Sequence, residues 1–184
     1  MNIIAFTGAG ISKSAGIPTF EEVPNIKEKL SVEFKQENPI EFSKVLNSLK
    51  ESVKDKEPTK AHKVLAYFQI PIITMNIDFL HQKAGSKNVI EIHGNVEKDN
   101  IVLYGENIHN SSDCIKLIDA VSRNAKMSQE KSILLVIGTS LQTQFANSLI
   151  LYAKSQEMLV FLINDDADIE VPAFLKREIN NYLS

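Results

Sequence analysis

The chain has 184 residues, a formal net charge of −3, and ordinary globular proportions of hydrophobic (43%) and charged (23%) residues. A chain of this length can bury roughly 70% of its unfolded surface, so it needs no disulfide or metal to fold. No dense run of lysine and arginine marks a nucleic-acid surface, and no stretch approaches the ~20 apolar residues of a membrane span. We therefore expect one domain, residues 1–184, with neither nucleic acid nor membrane as a partner.

Cys114 is the single cysteine. One cysteine excludes an internal disulfide and a four-cysteine zinc site, and the four histidines are scattered along the sequence, so no metal site is expected. Cys114 fits the apolar stripe of a predicted helix, which favours a core position over a reactive one. The first residues lack the basic cluster and long apolar run of a signal peptide, which predicts a cytoplasmic location.

The predicted elements begin with a short apolar strand over residues 3–6, which runs directly into closely spaced glycines. A helix is expected to start at Asn38 and Pro39, because Asn is a common cap and Pro fits the first helical turn. Its apolar face has helical spacing and consists of Phe42, Val45, Leu46, Leu49 and Val53. Pro58 is expected to open a second helix with an apolar side formed by Ala61, Val64, Leu65 and Phe68.

Short buried strands are expected at residues 71–74 and 89–92. Asp113 is expected to cap a third helix, whose inward face consists of Cys114, Leu117, Ile118, Val121 and Ala125. A helix over about 144–155 and a terminal helix over 172–183 complete the helices. The segment Ile133–Ile137 is apolar at consecutive positions, which predicts burial on both faces, and Leu159–Ile163 repeats that pattern. This alternation predicts an α/β fold: a doubly wound, Rossmann-like parallel sheet with helices on both faces.

Residues 5–20 read AFTGAGISKSAGIPTF, a strand followed by Gly8, Ala9 and Gly10. Such a turn brings backbone N–H groups up to a dinucleotide pyrophosphate. The first glycine permits a tight turn, and the second lets the phosphate approach without meeting a Cβ atom. Taken alone, the segment is equally compatible with an ordinary turn.

Three further segments follow: TMNIDFL at 74–80, VIEIHG at 89–94 and IGTSL at 137–141. Shorter matches are AHKVL at 61–65, AGSKN at 84–88, VLYGE at 102–106 and LIND at 162–165. Together and in this order, the segments resemble the sirtuins, the NAD-dependent protein deacylases, from about residue 3 to 165. The resemblance implies one NAD-binding domain in which residues 21–70 form a helical insertion or small lobe. It also implies NAD as co-substrate and an acylated-lysine protein or peptide as substrate.

The resemblance implies that His93 is the general base, with Asn76 and Asp78 beside it in the nicotinamide-ribose pocket. In that family the acyl oxygen attacks the ribose carbon as nicotinamide leaves, and a base then draws a proton from a ribose hydroxyl. A histidine with a pKa of about 6.5 is mostly neutral at physiological pH and can accept that proton. Two other interpretations stay open from the residues alone: His93 is a structural histidine, and Asn76 or Asp78 caps a helix that begins near Phe79.

The implied cofactor-binding residues are Gly8, Ala9, Gly10, Ser12, Ile17, Thr19, Phe20, Asn76, Ile77, Asp78, Gly138, Thr139, Ser140 and Asn164. The implied substrate segment is Val102, Leu103, Tyr104, Gly105 and Glu106, which resembles the strand that pairs with an acyl-lysine peptide. An ordinary edge strand is the alternative for this segment.

The chain departs from the sirtuin pattern in three places. The family's cysteine-rich zinc module is absent, since only residues 95–101 separate the HG motif from VLYGE. Thr19 and Glu21 stand where the family has an aspartate that binds the nicotinamide amide and an arginine that helps with the dinucleotide. Met75 stands where the family has a glutamine that contacts the ribose.

These departures leave three functions open. The first is a minimal zinc-free deacylase. The second is an enzyme that cleaves NAD to water or transfers ADP-ribose to a protein, and the third is a non-catalytic sensor of NAD or ADP-ribose. The retention of His93, Asn76 and Asp78 argues against the sensor, and residues 102–106 favour the deacylase.

Overall fold

A computed structural model describes residues 2–19 and 22–183, so Phe20 and Glu21 lie outside the described residues. Five strands form the sheet: β1 (Ile3–Thr7), β2 (Ile72–Thr74), β3 (Val89–Glu91), β4 (Ile133–Ile137) and β5 (Leu159–Ile163). All neighbouring pairs are parallel, and the spatial order is β3-β2-β1-β4-β5. The predicted Rossmann-like parallel sheet is thus confirmed.

The helices are α1 (Ile26–Lys29), α2 (Val32–Glu37), α3 (Pro39–Lys54), α4 (Lys60–Tyr67), α5 (Leu80–Lys83), α6 (Ser111–Ser128), α7 (Gln144–Ser155) and α8 (Ala167–Leu183). Two 3-10 helices span Ala9–Ala15 and Val96–Lys98. The predicted starts at Asn38 and near residue 144 are confirmed. Within the described ranges, no helix combines the length and apolar character needed to cross a membrane.

Three predicted helix starts are wrong. Helix α4 begins at Lys60 and not at Pro58, because Thr59 and His62 form a reciprocal capping box. Helix α6 begins at Ser111, so Asp113 lies in its first turn and is not its cap. The terminal helix α8 begins at Ala167, five residues before Pro172, which is tolerated inside the helix.

Helices cover both faces of the sheet, as predicted. Helices α4 and α8 pack on one face through Ala61, Leu65, Val171, Phe174 and Leu175. Helices α6 and α7 pack on the other face through Cys114, Ile118, Ala146, Leu149 and Ala153. Burial raises the pKa of the Cys114 thiol to about 11, and the thiol is fully buried, which confirms the predicted core position.

Strand β5 differs from its prediction. Its neighbour β4 is buried throughout, but β5 lies at the edge of the sheet, and Leu159 and Leu162 are 43% and 51% exposed. The apolar run in the sequence does not distinguish a central strand from an edge strand, because exposure depends on sheet order.

Helices α1 to α3 form a separate apolar cluster beside the sheet. Ile26, Leu30 and Phe42 are its buried residues from these helices, and Leu103 joins them from the segment 102–106. Helix α4, by contrast, packs on the sheet itself. The division of the chain into a core and a lobe of residues 21–70 stays a prediction.

The turns that follow β1 and β4 touch backbone to backbone. A Cβ atom on Gly8 would lie 2.7 Å from the Gly138 carbonyl oxygen, and one on Gly10 would lie 2.6 Å from the Gly138 Cα. Gly138 also has a φ of +63°, which favours glycine. The glycines of the first motif are therefore required by contact between the two turns.

Helices α4 and α5 meet through a buried pair of histidines. The rings of His62 and His81 are 4.6 Å apart, and both residues are almost completely buried. Thr7 donates its hydroxyl proton to Thr74 (2.9 Å), so the Nε2 of His81 donates to the Thr7 oxygen (2.9 Å). His62 Nε2 and His81 Nδ1 have no hydrogen-bond partner among the described residues. These residues are scattered in the sequence but adjacent in the fold.

We expect Gly138→Ala to lower the free energy of unfolding by roughly 2–5 kcal/mol, because the new Cβ strains the backbone and meets Gly10. Gly85→Ala is the matched control: Gly85 has a φ of +96° but no atom within 4 Å of an added Cβ. In that control the free energy of unfolding should fall only by the cost of the backbone strain, about 1–2 kcal/mol. Urea unfolding measures both variants, and equal losses would contradict the contact between the turns.

Stability should fall as the pH decreases below about 6.5. Burial lowers the pKa of His62 and of His81, although Asp78 and Asp168 partly oppose this shift for His62. Both rings stay neutral in the folded state while they take up protons in the unfolded state, so acid favours unfolding. This destabilisation is absent well above pH 6.5, and it increases as the pH falls towards the lowered pKa values of the folded state.

Urea unfolding of wild type and His81→Asn between pH 7.5 and pH 4.5 tests this expectation. The variant has one fewer buried titrating group, so its stability should fall less steeply with acid. Lys116→Gln replaces an exposed lysine of α6 and should follow the wild-type slope. Parallel curves for wild type and His81→Asn would show that the buried pair does not govern the acid response.

Candidate functional site

A cleft of about 670 Å³ opens at the carboxyl ends of the strands. It lies where the chain order reverses across the sheet: β2 pairs with one side of β1 and β4 with the other. Parallel α/β sheets bind ligands at this position. The cleft lining contains these residues singled out in the sequence: Gly8, Ala9, Gly10, Thr19, Asn76, Ile77, His93, Val102, Leu103, Tyr104, Gly105, Glu106, Gly138, Thr139, Ser140 and Asn164.

Three predicted cofactor residues do not line the cleft. Ile17 packs with Val53 and Ile77 in a small apolar cluster. Ser12 and Asp78 are buried behind the cleft wall. Phe20 is among the residues that the structure does not describe.

Ser12 and Asp78 form a buried chain of hydrogen bonds that ends at Asn76. The Ser12 hydroxyl donates to Asp78 Oδ2 (2.6 Å), and Asn76 Nδ2 donates to the Ser12 oxygen (3.3 Å). Asp78 Oδ1 also accepts the Leu80 N–H (3.0 Å) and so caps α5. Asp78 therefore binds the first N–H of α5 and does not line the cleft, whereas Asn76 does line it. The place of these residues in a nicotinamide-ribose pocket stays a prediction.

Two backbone donors of the glycine turn are already used inside the protein. The Gly8 N–H donates to the Ile137 carbonyl (2.9 Å), and the Gly10 N–H donates to the Gly138 carbonyl (2.8 Å). The expectation that the turn offers its N–H groups to a pyrophosphate is therefore wrong for these two residues.

The β4 and β5 turns are joined by Asn164. Its Oδ1 accepts the Thr139 N–H (3.1 Å), and the Thr139 hydroxyl oxygen accepts the Leu141 N–H (3.3 Å). Both side chains line the cleft. The arrangement fixes the hydroxyl and amide groups that a ribose or phosphate would meet on this side.

His93 follows β3 and is half-buried in the cleft wall. Burial lowers the pKa of His93, and the charge of His109 lowers it further. The ring is consequently neutral at physiological pH and able to accept a proton. The His93 carbonyl accepts the Val102 N–H (3.0 Å), which ties the predicted base to the predicted substrate segment.

Glu91 anchors the short loop that separates these two motifs. Its Oε1 accepts from Gln82 and from Asn95 Nδ2 at 2.6 Å each, and its Oε2 lies 3.2 Å from Lys98 Nζ. The loop closes on itself because Asn100 Oδ1 accepts the Asn95 N–H (2.9 Å). This network stabilises the loop between His93 and residues 102–106.

The segment 102–106 is not a strand. Tyr104 makes an isolated parallel bridge to Ser31, donating its N–H to Leu30 and accepting the Val32 N–H. On the other edge, the Leu103 N–H donates to Glu106 Oε2 (2.8 Å), and the Leu103 carbonyl accepts the Glu106 N–H (3.0 Å). The ordinary edge-strand interpretation of this segment is therefore wrong, whereas its pairing with an acyl-lysine peptide stays a prediction; all five residues line the cleft.

Thr19, which replaces the family's aspartate, is held by Glu22. Glu22 Oε2 accepts both the N–H (2.7 Å) and the hydroxyl (3.0 Å) of Thr19, and Glu22 Oε1 lies 3.8 Å from Lys13 Nζ. These Thr19 donors, with a smaller contribution from Lys13, keep the pKa of Glu22 below its ordinary value. The Glu22 carboxylate therefore lies beside position 19, although the residue at that position is threonine and not the family's aspartate.

Met75, which replaces the family's glutamine, lines the cleft and accepts a weak hydrogen bond from the Thr143 hydroxyl at 3.7 Å.

Residues that the sequence analysis did not single out also line the cleft: Lys13, Lys27, Leu30, Ile101, Ile108, Gln142, Thr143 and Asp165. Most of them are direct neighbours of the motifs, and extending each motif by a few residues would have found them. Lys27 and Leu30 come from the α1 region, and no local pattern in the sequence indicates that α1 faces the cleft.

No cluster of three or more histidine, cysteine, aspartate or glutamate side chains able to hold a metal ion occurs within residues 2–19 and 22–183.

Comparison with known proteins gives the family. The sequence model of the Sir2 family matches residues 8–100. An NAD-dependent protein deacylase of Aquifex aeolicus is 30% identical over 90% of this chain and 84% of that protein. An NAD-dependent protein deacetylase of Sulfolobus acidocaldarius is 28% identical over 90% of this chain and 80% of that protein.

Solved structures show the same fold. A complex of Sir2, a p53 peptide and NAD+ has a TM-score of 0.78 at 27% identity and covers 96% of this chain and 92% of that one. A Sir2 protein bound to acetylated peptide has a TM-score of 0.75 at 27% identity and covers 97% and 92%. With its ordered motifs, its sheet and these matches, the chain belongs to the Sir2 family, the sirtuins.

Proposed function

We propose that the protein is an NAD-dependent protein-lysine deacylase that transfers the acyl group of a modified lysine to ADP-ribose and releases nicotinamide. The observation that carries this proposal is the position of His93: a neutral, half-buried histidine in the cleft wall, hydrogen-bonded through its carbonyl to Val102. The relatives and complexes described above support it, since their names include deacylases and deacetylases with NAD+ or acetylated peptide.

His93 is proposed to act as the general base. After nicotinamide leaves, a ribose hydroxyl must lose its proton to attack the carbon of the acyl group. His93 accepts this proton because its ring is neutral at physiological pH. Asn76 is proposed to position the nicotinamide ribose, and the buried bonds from Ser12 and Asp78 hold its amide in place.

NAD is proposed as the co-substrate, and the cleft offers groups suited to it. About 670 Å³ is within the range of small-molecule sites. Thr139 and Asn164 line the cleft after β4 and β5, and Thr19 lines it at the end of the first motif. A cytoplasmic location and independence from zinc are part of the proposal.

The acyl-lysine substrate is proposed to bind along residues 102–106. Because the N–H and carbonyl of Leu103 are bonded to Glu106, a peptide strand must displace these contacts before it can pair there. The same observation favours a second candidate function, NAD glycohydrolase, in which water takes the place of the peptide.

Incubation with labelled NAD, with and without an acetyl-lysine peptide and in the presence of a chelator, separates these functions. Deacylation predicts acetyl-ADP-ribose that forms only with peptide and survives chelation. Free ADP-ribose without peptide would establish the glycohydrolase instead. Unchanged NAD under every condition would leave neither enzyme tenable.

We expect His93→Ala to lower acetyl-ADP-ribose formation by about 10²–10⁴-fold while ADP-ribose affinity stays within a few-fold. Loss of a base slows the chemical steps and does not weaken ground-state binding. Nicotinamide exchange should persist, because nicotinamide leaves before the base acts.

Product analysis at pH 8, calorimetric titration with ADP-ribose and a thermal melt measure the three properties. Lys116→Ala removes an exposed lysine outside the cleft lining and should keep wild-type turnover. Full deacylation by folded His93→Ala would refute its role as the base, and a parallel loss of folding, binding and turnover would assign it a structural role.

A further inference from the structure

One positive charge that the family uses for the dinucleotide is missing from this sequence. The family's arginine is replaced by Glu21, which reverses the charge at that position. The N–H groups of Gly8 and Gly10 are bonded to the β4 end, and the Ser12 hydroxyl is bonded to Asp78. A pyrophosphate carries two negative charges, so another donor must face it.

Lys13 is a cation in a suitable place. It belongs to the 3-10 helix Ala9–Ala15, directly after the glycine turn, and it lines the cleft together with Gly8 and Gly10. Its ammonium lies 3.8 Å from Glu22 Oε1, longer than a usual charge-assisted hydrogen bond, and its side chain is 58% exposed. The group can therefore turn towards a ligand without leaving a tight internal bond.

Lys27 is the other lysine in the described cleft lining. It belongs to α1, three residues before Leu30, whose carbonyl accepts the Tyr104 N–H. Lys27 thus lies on the side of residues 102–106, and Lys13 lies on the side of the glycine turns.

We propose that Lys13 binds the pyrophosphate of the ADP-ribose part of NAD and so supplies the charge that Glu21 removes. The proposal rests on the proposed use of NAD. In the ligand-free protein Glu22 holds Lys13 nearby and accepts both donors of Thr19, so the Lys13–Glu22 pair keeps a cation and a carboxylate at this end of the cleft.

Calorimetric titration with ADP-ribose tests the proposal in wild type, Lys13→Gln, Lys13→Arg and Lys116→Gln. Lys116 is a matched control outside the cleft: an exposed lysine that pairs with Asp113 at 2.8 Å. Lys13→Gln should weaken binding by about tenfold or more at low salt, as expected for a lost hydrogen bond to a charged group. Lys13→Arg should stay within about threefold of wild type, and Lys116→Gln should equal it.

The salt dependence of ADP-ribose binding distinguishes loss of the lysine charge from damage to the fold. Binding to wild type should weaken between 50 and 300 mM salt, and Lys13→Gln should respond less steeply, so the two affinities approach each other. A constant ratio at all salt concentrations, or an affinity of Lys13→Gln within twofold of wild type, would overturn the assignment of Lys13. Failure of wild type to bind ADP-ribose at all would instead overturn the proposed function.

Discussion

The close contact between the turns after β1 and β4 is the constraint on which the cleft depends. Gly8 and Gly10 meet Gly138 backbone to backbone, and two N–H groups of the first turn bond to carbonyls at the end of β4. This contact joins the two strands on either side of the point where the chain order reverses. It places the residues after each strand around one cavity, but it also uses donors that a phosphate would otherwise meet.

Much of the fold could be predicted because its signals are local. An apolar run of four residues gives β1, a run of five gives β4, and helical spacing gives α3. The errors come from information that is not local: β5 is an edge strand because of sheet order, and α4 starts where Thr59 and His62 cap each other. The pairing of His62 with His81 likewise depends on the packing of α4 against α5.

The candidate site could likewise be predicted only in part. The motif order placed His93, Asn76, Thr139 and Asn164 at one cleft. The sequence did not reveal that Ser12 and Asp78 act from behind the wall, because both residues also suit a turn or a cap. It contained no sign of Lys27 on the wall, since the position of α1 depends on contacts distant in sequence, such as the bridge between Ser31 and Tyr104.

A hydrogen-bonded loop connects the histidine motif to residues 102–106. Glu91 binds Gln82, Asn95 and Lys98, and the loop returns to donate the Val102 N–H to His93. His93 and residues 102–106 are therefore adjacent through this short loop. The Glu106 contacts occupy the N–H and the carbonyl of Leu103.

The central claim is that the acyl oxygen of the lysine substrate attacks the ribose carbon. An acetyl-lysine peptide labelled with ¹⁸O in the acetyl carbonyl, incubated with NAD in unlabelled water, tests it directly by mass spectrometry. The account predicts that the label is found on the ribose of the ADP-ribose product. A ribose oxygen taken from water, with the label still in the peptide or in free acetate, would contradict it.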